Sequence, residues 1–324
     1  MDVLRLTLRQ LQIFVAVARY GSTTAASAEL ALSQSATSSA VNELERLLSL
    51  HLFDRSSKRL LLNDNGRALL SRAMALLDGA ASIEQMAHDP MAQLQSLRIG
   101  ASTTIGNYVL PKLLGQFLQS AQYDDCPAWH SSVMVGNTEA ICDAVAAFEL
   151  DVGLIEGPCH QTALTVTPWL QDELVVVCAP HHAQCGATPT TQAAEQKSKF
   201  LPIQVLRDAV WLLRERGSGT REATDEWLLP HLQSYRRCIE LGSSEAIRQA
   251  ATEGLGLACL SEWVVNDFIE AGRLQRIATR WLKMPRQCYL VVHKKKQSTP
   301  ALQRFLTQAC LFSGTDLTPV FHTP

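Results

Sequence analysis

Apolar positions recur at helical spacing through the first ninety or so residues and then give way to short strand-like runs. Leu8, Leu11, Val15 and Ala18 form one stripe with Phe14 beside it, the spacing of an amphipathic helix. Thr7 and Gln10 open that helix as a T-x-x-Q capping box, and Gly21 closes it. The next stretch, 22–45, reads STTAASAELALSQSATSSAVNELE and predicts two short helices. Ser22 is placed to cap the first, over 23–30. Ala31 and Leu32 make the turn. Ser33 caps the second, whose inner face carries Val41, Leu44 and Leu48.

Two helices joined by so short a turn form a helix-turn-helix. The outer face of the second carries Gln34, Ser35, Thr37, Ser38, Ser39 and Asn42, with no acid before Glu43. Such amides and hydroxyls suit base edges in a major groove, although a solvated helix face has the same composition. The residues that follow favour DNA. Strand patterns at 52–55 and 60–62 flank a turn, and Arg55, Lys58 and Arg59 cluster there. That is a basic wing suited to phosphates or the minor groove. Asn63 then caps a helix over 64–87, about 36 Å long at the standard rise, which Pro90 stops. Its stripe of Leu69, Leu70, Ala73, Leu76, Leu77, Ala80, Ile83 and Met86 is longer than a small winged domain covers. It predicts pairing with the same helix of a second chain.

Residues 8–72 resemble the DNA-binding region of LysR-type transcriptional regulators. The phrases LRQLQIFVAVARYGSTTAASAELALSQSATSSAVNELE, LFDR and NDNGRALL carry the likeness, densely and in order. Three positions depart from the family pattern. Ser35 stands where Pro is common, Ser39 where Arg or Lys is frequent, and Asn63 where Thr usually opens the linker helix. Ser39 withdraws a charge that would contact the backbone or guanine.

From Gln93 onward strands and helices alternate, which predicts a mostly parallel sheet with helices on both faces. Strands are expected at 97–101, 131–135, 152–155, 169–179, 210–214, 239–241, 257–260 and 290–293. Helices are expected at 107–118, 137–148, 220–232, 244–252, 262–271 and 300–311. Residues 183–199 read as a surface loop. The fold class is therefore α/β. A winged helix-turn-helix (1–63) and a linker helix (64–90) precede a two-lobed, periplasmic-binding-protein-like effector domain (91–312), and 313–324 form a loosely ordered tail. The resemblance implies two crossings between the lobes, near 163–168 and 265–268. Lobe I then comprises 91–163 plus 268–312, and lobe II 168–265.

Composition narrows the classes. The chain has 324 residues, 47% of them hydrophobic, and a formal charge of -2. Real cores are expected, and a globally basic nucleic-acid binder is excluded. No apolar run reaches membrane-spanning length, and Arg9, Gln10 and Gln12 interrupt any leader-like pattern. Nine scattered cysteines without a C-x-x-C suit a reducing cytoplasm and argue against a disulfide framework or a zinc site.

In open α/β sheets ligands bind beyond the carboxyl ends of the strands. Ser102-Thr103-Thr104, Gly136-Asn137-Thr138 and Gly217-Ser218-Gly219-Thr220 lie at such ends, each before a helix. Free N–H groups, hydroxyls and helix starts suit a small anion. Helix capping explains each loop taken singly; three loops facing one cleft make a site. Arg214, Arg216 and Arg221 are candidates to neutralise the anion, with Glu139 and Glu156 nearby. The resemblance implies an effector between the lobes. The phrases IGASTTIGNYVLP and RERGSGTR are similar to the branch that senses sulfur oxyanions or small anionic metabolites of carbon fixation. It also implies double-stranded promoter DNA as partner, self-association as dimer or tetramer, RNA polymerase as a further partner, and no cofactor.

An enzyme is the competing class, but no G-x-S-x-G, H-E-x-x-H or Walker loop appears. Gly254-Leu255-Gly256 lacks the third glycine of a dinucleotide fingerprint. Cys126 with His130, and Cys159 with His160, lack further ligands at zinc spacing, and the adjacent His181 and His182 read as solvated. An exported solute-binding protein is opposed by the N-terminal module. A cysteine-based redox regulator of the same fold is the alternative. Cys178 and Cys185 are its nearest pair, Cys178 as a buried small hydrophobe and Cys185 as the accessible thiol.

Overall fold

Residues 5–56, 59–88, 97–120, 132–182, 201–278 and 283–314 are described by a computed structural model. Contacts divide the chain into two units, 1–94 with 295–299, and 95–294 with 300–324.

In the first unit, Thr7 accepts from the Gln10 backbone and Gln10 reaches back to the Thr7 backbone, completing the capping box of α1 (Leu8–Tyr20). Gly21, at φ 63°, closes it. Ser22 and Ser33 accept from Ala25 and Ala36, capping α2 (Thr23–Glu29) and α3 (Gln34–Leu48). Between these helices Ala31 takes φ 52°, a left-handed conformation that costs a non-glycine residue about 1–2 kcal/mol. Packing offsets it, because Leu11, Phe14, Val17, Ala26, Val41, Leu44 and Leu52 share one core. The buried face of α1 also includes Ile13, and it departs from the expected stripe: Leu8 is 48% exposed. Helix α1 is packed by several neighbours, so its covered face is wider than one stripe.

Strands β1 (Phe53–Ser56) and β2 (Arg59–Leu62) pair as an antiparallel hairpin. Asn63 Oδ1 accepts from Gly66 N at 2.9 Å and caps α4 (Asp64–His88). Ala73 lies in the core, with Leu69, Leu70 and Leu77 packed against it. Leu76 and Ile83 stay 56% and 67% exposed. The Met86 side chain lies outside the described residues.

The second unit holds β3 (Arg98–Ser102), β4 (Ser132–Gly136), β5 (Val152–Glu156), β6 (Leu164–Cys178), β7 (Val210–Arg214), β8 (Arg237–Leu241), β9 (Leu257–Ser261), β10 (Gln275–Arg276) and β11 (Pro285–His293). The sheet order is β4-β3-β5-β11-β6-β9-β7-β8, with β10 beside β6. The outer triplets β4-β3-β5 and β9-β7-β8 are parallel. The centre is antiparallel, so the expected parallel sheet is two parallel sheets joined by a ribbon.

Helices α5 (Thr103–Tyr108), α6 (Leu110–Ser120), α7 (Thr138–Ala146), α8 (Ile203–Asp208), α9 (Gly219–Leu232), α10 (Ser244–Thr252), α11 (Glu262–Glu270) and α12 (Pro300–Ser313) complete it. One core gathers Ile99, Leu113, Leu154, Trp169, Leu290 and Phe305. The other gathers Leu174, Trp211, Leu213, Leu228, Leu257 and Met284. These are the two lobes.

The crossings differ from expectation. Strand β6 serves both lobes, and the return runs along β11 near Pro285–Gln287, not near 265–268. Val264 and Val265 of α11 are buried with Val175, Leu212 and Leu260, which keeps α11 in the second lobe. The helix expected over 107–118 is two helices broken at Val109, with Pro111 in the first turn of α6, where proline is tolerated. The short α8 and β10 carry no periodic signal. The loop 183–199 and the tail beyond Gly314 lie outside the described residues.

Candidate functional site

On α3, Gln34, Ser35, Ser39 and Asn42 are exposed and Ser38 is half-buried. Gln34 Nε2 donates to Thr23 Oγ1 at 3.2 Å, and the Ser33 and Ser35 hydroxyls lie 3.0 Å apart. These groups are oriented yet open to solvent. Thr37 is a correction. It is fully buried, and its Oγ1 donates to Ser33 O at 3.1 Å. It stands one turn after the cap on the core side of α3, so it reaches no base. In the wing, Arg55 and Arg59 stand on β1 and β2, but their side chains, and Lys58 entirely, lie outside the described residues.

In the second unit the three predicted loops meet. Ser102, Gly136 and Glu156 end β3, β4 and β5; Arg214 and Ser261 end β7 and β9. Thr103 Oγ1 donates to Gly136 O at 3.0 Å and accepts from Arg214 Nη2, of the other lobe, at 3.4 Å. Arg214 also donates to Ser244 Oγ at 3.0 Å and pairs with Glu215 at 2.8 Å. Asn137 caps α7 and reaches Glu215 Oε1 at 3.4 Å. Thr138 Oγ1 donates to Glu156 O at 2.9 Å and accepts from Gly219 N at 3.1 Å. Glu139 N donates to Gly217 O at 3.0 Å. Ser218 caps α9 through Arg221 N. A Cβ built on Gly219 would lie 1.8 Å from Glu156 O, so only glycine permits this approach of the lobes.

Glu156 is 1% exposed. The Ser102 hydroxyl donates to its carboxylate, and Thr104 N does so at 3.4 Å. Burial pushes its carboxyl above the usual range, opposed by the nearby Arg286 guanidinium. Thr104 Oγ1 is buried without a hydrogen-bond partner among the described residues. Of the three candidate arginines, Arg214 alone borders the cleft from a buried position. Arg221 pairs with Asp225 at 2.8 Å, and Arg216 is exposed.

Several residues here carried no motif in the sequence. Arg286 on β11 pairs with Asp172 on β6 and donates to Thr220 Oγ1 at 2.8 Å. Asp172 accepts from Ser261 Oγ at 2.9 Å. The available signal was weak: Asp172 stands beside Glu173 in a polar stretch of β6, and Arg286 lies near the start of β11. Cys178 is fully buried and disulfide-bonded, which corrects the expectation of a free thiol there. Cys185, Cys126 and His130 lie outside the described residues. Among the described residues no group of three or more His, Cys, Asp or Glu is placed to hold a metal, and no helix is long and apolar enough to cross a membrane.

The family model described as bacterial regulatory helix-turn-helix protein, lysR family, matches residues 8–67, and that of the LysR substrate binding domain matches 92–309. The chain is 43% identical over 303 residues to the uncharacterized HTH-type transcriptional regulator YeiE of Escherichia coli (strain K12), covering 94% of this chain and 97% of that one. A full-length OxyR variant from Pseudomonas aeruginosa shares the fold, with TM-score 0.65, 22% identity and coverage of 99% and 100%. The regulatory domain of Synechocystis PCC6803 CcmR, solved in complex with 2-PG, matches with TM-score 0.56 and 29% identity, over 68% of this chain and 97% of that one.

Proposed function

The chain belongs to the LysR family of ligand-responsive transcriptional regulators, and on that premise we propose that its effector is a small oxyanion held between the two lobes, sulfur oxyanions being the first class to test. The carrying observation is Arg214. It is buried, and it spans from Ser244 in one lobe to Thr103 in the other. The unpartnered Thr104 hydroxyl and the starts of α7, α9 and α10 add donors of the kind anions select. Glu215, Glu156 and Asp172 balance that charge. An anion that displaces Glu215 from Arg214 would draw both lobes onto itself, and that differential affinity is what a switch requires. The solved relative with 2-PG bound supports a small ligand for this domain.

At the other end, Gln34, Ser35 and Ser38 are assigned to base edges, with Ser39 and Asn42 on bases or phosphates and Arg55, Lys58 and Arg59 on the backbone. The bare Leu76 and Ile83 of α4 support self-association, giving a dimer and, by family likeness, a tetramer. Double-stranded promoter DNA and RNA polymerase are the macromolecular partners, in the cytoplasm.

A thermal-shift panel of sulfite, sulfate, thiosulfate, phosphate and small carboxylates tests the effector. Ligand at a hundred times its Kd stabilises by about 2.7 kcal/mol, or roughly 5–10 °C for a domain this size. Arg214→Gln should abolish that shift; a shift that survives it, or no response to any anion, removes the reading. Gln34→Ala should lower operator affinity about tenfold or more with the effector response intact.

A further inference from the structure

We infer that the Glu215 carboxylate is a tethered stand-in for the effector: it occupies the seat that Arg214 offers an anion, bridges the lobes from there, and must be expelled when an external oxyanion binds. The inference rests on the reading of the cleft as an oxyanion site and adds the device that sets its threshold.

Strand alternation would send Arg214 and Glu215 to opposite faces. Strand β7 ends at Arg214, however, and the chain turns at once. Ser218 N donates to Glu215 O at 3.4 Å, with Gly217 at φ 81° inside the turn. The turn returns the Glu215 side chain to its neighbour. Nε and Nη2 of Arg214 each donate to one carboxylate oxygen at 2.8 Å. That is the two-pronged grip a guanidinium gives to free carboxylates and other oxyanions.

The same carboxylate reaches the other lobe. Asn137 uses its Oδ1 for the cap of α7, accepting from Ala140 N at 2.9 Å. Its Nδ2 is left to donate to Glu215 Oε1 at 3.4 Å. The Arg214 side chain is 2% exposed and that of Glu215 25%, so this is not one of the open ion pairs that contribute little. Burial would raise the Glu215 carboxyl, but the hydrogen bonds and charge of Arg214, with Asn137, hold it below the ordinary range. It is therefore ionised at neutral pH, a side-chain anion placed on donors from both lobes.

A seat filled in this way answers only to ligands that outbind the tether. The apparent affinity of an external anion is its intrinsic affinity reduced by the fraction of time the seat is open. A free monocarboxylate offers Arg214 nothing that the tether lacks, so the site discriminates against it.

Thermal shift on the full-length protein tests the seat with sodium formate, the headgroup without its tether, against sodium chloride at equal ionic strength. Formate should stabilise Glu215→Ala but not the wild type, and the shift should vanish when Arg214→Gln is added to Glu215→Ala. Glu215→Gln keeps the shape and removes the charge. Calorimetry should find that it binds sulfite about tenfold tighter than wild type does, the scale of one charged hydrogen bond. Formate that leaves Glu215→Ala where chloride does, or that stabilises the wild type equally, overturns the inference. Sulfite bound no tighter by Glu215→Gln also overturns it and leaves the effector reading standing, because the wild type still binds. Sulfite bound by neither protein removes sulfite as effector instead, while the formate arms still decide the seat.

Discussion

Asp172→Asn tests the junction between the lobes. Asp172 on β6 and Arg286 on β11 face each other in register, where both strands pass from one core to the other. Each side chain is 1% exposed. The substitution keeps volume and an acceptor but leaves the guanidinium buried without its charge partner. Removing one member of such a pair typically costs about 3–5 kcal/mol. Two local features reduce that here. The asparagine oxygen can still accept from Arg286 or Ser261, and Thr220 Oγ1 still accepts from Arg286. We expect a loss of about 2–4 kcal/mol. The double replacement Asp172→Leu with Arg286→Met should fall within about 1 kcal/mol of wild type or exceed it, because it removes the desolvated charges together. Urea unfolding followed by tryptophan fluorescence is the assay, since Trp169 and Trp211 are buried one in each core. A loss under about 1 kcal/mol for Asp172→Asn, or a double variant weaker than the single one, would refute the assignment of this pair as the fastener of the two strands.

Gly219→Ala must push the β5 exit away from the start of α9, because a Cβ there lies 1.8 Å from Glu156 O. Overpacking of this kind costs about 1–3 kcal/mol, so the effector-induced thermal shift should fall sharply while operator affinity without effector stays unchanged. Glu156→Gln should alter the pH dependence of stability. With its carboxyl raised above 4.5 in the fold, native Glu156 binds its proton more tightly than the unfolded chain does. Its contribution is full below that pH and declines as pH rises through the raised value; in urea melts the variant should lose that decline. Leu76→Asp with Ile83→Asp should convert the oligomer to monomer in light scattering and weaken operator binding, while the circular dichroism spectrum is retained.

Local chemistry was the most legible part of the sequence. Thr7, Ser22, Ser33, Asn63, Asn137 and Ser218 all cap the helices their spacing predicts, because a cap depends on residues within one turn. Polar faces were legible only in outline. Thr37 has the chemistry of a base reader but donates back to Ser33 O, and composition does not separate the two. The three cleft loops were visible one at a time; their meeting required Arg214 to reach Thr103 from a strand far along the chain. Arg286 and Asp172 were missed because each sits in a short polar stretch of its strand and has no partner until the sheet forms.

The ribbon of β6 and β11 sets a rule for how this chain tolerates change. Its two strands are hydrogen-bonded to each other from Leu164 with His293 to Glu173 with Pro285, with one irregularity between Gln287 and Tyr289. Inserting or deleting a single residue in one of them would turn every later side chain to the opposite face and set one half of the sheet out of step with the other. Surface loops elsewhere can grow or shrink without that penalty. The two strands must keep their lengths matched, like the rails of one track, and a bend shared by both is the motion left to them.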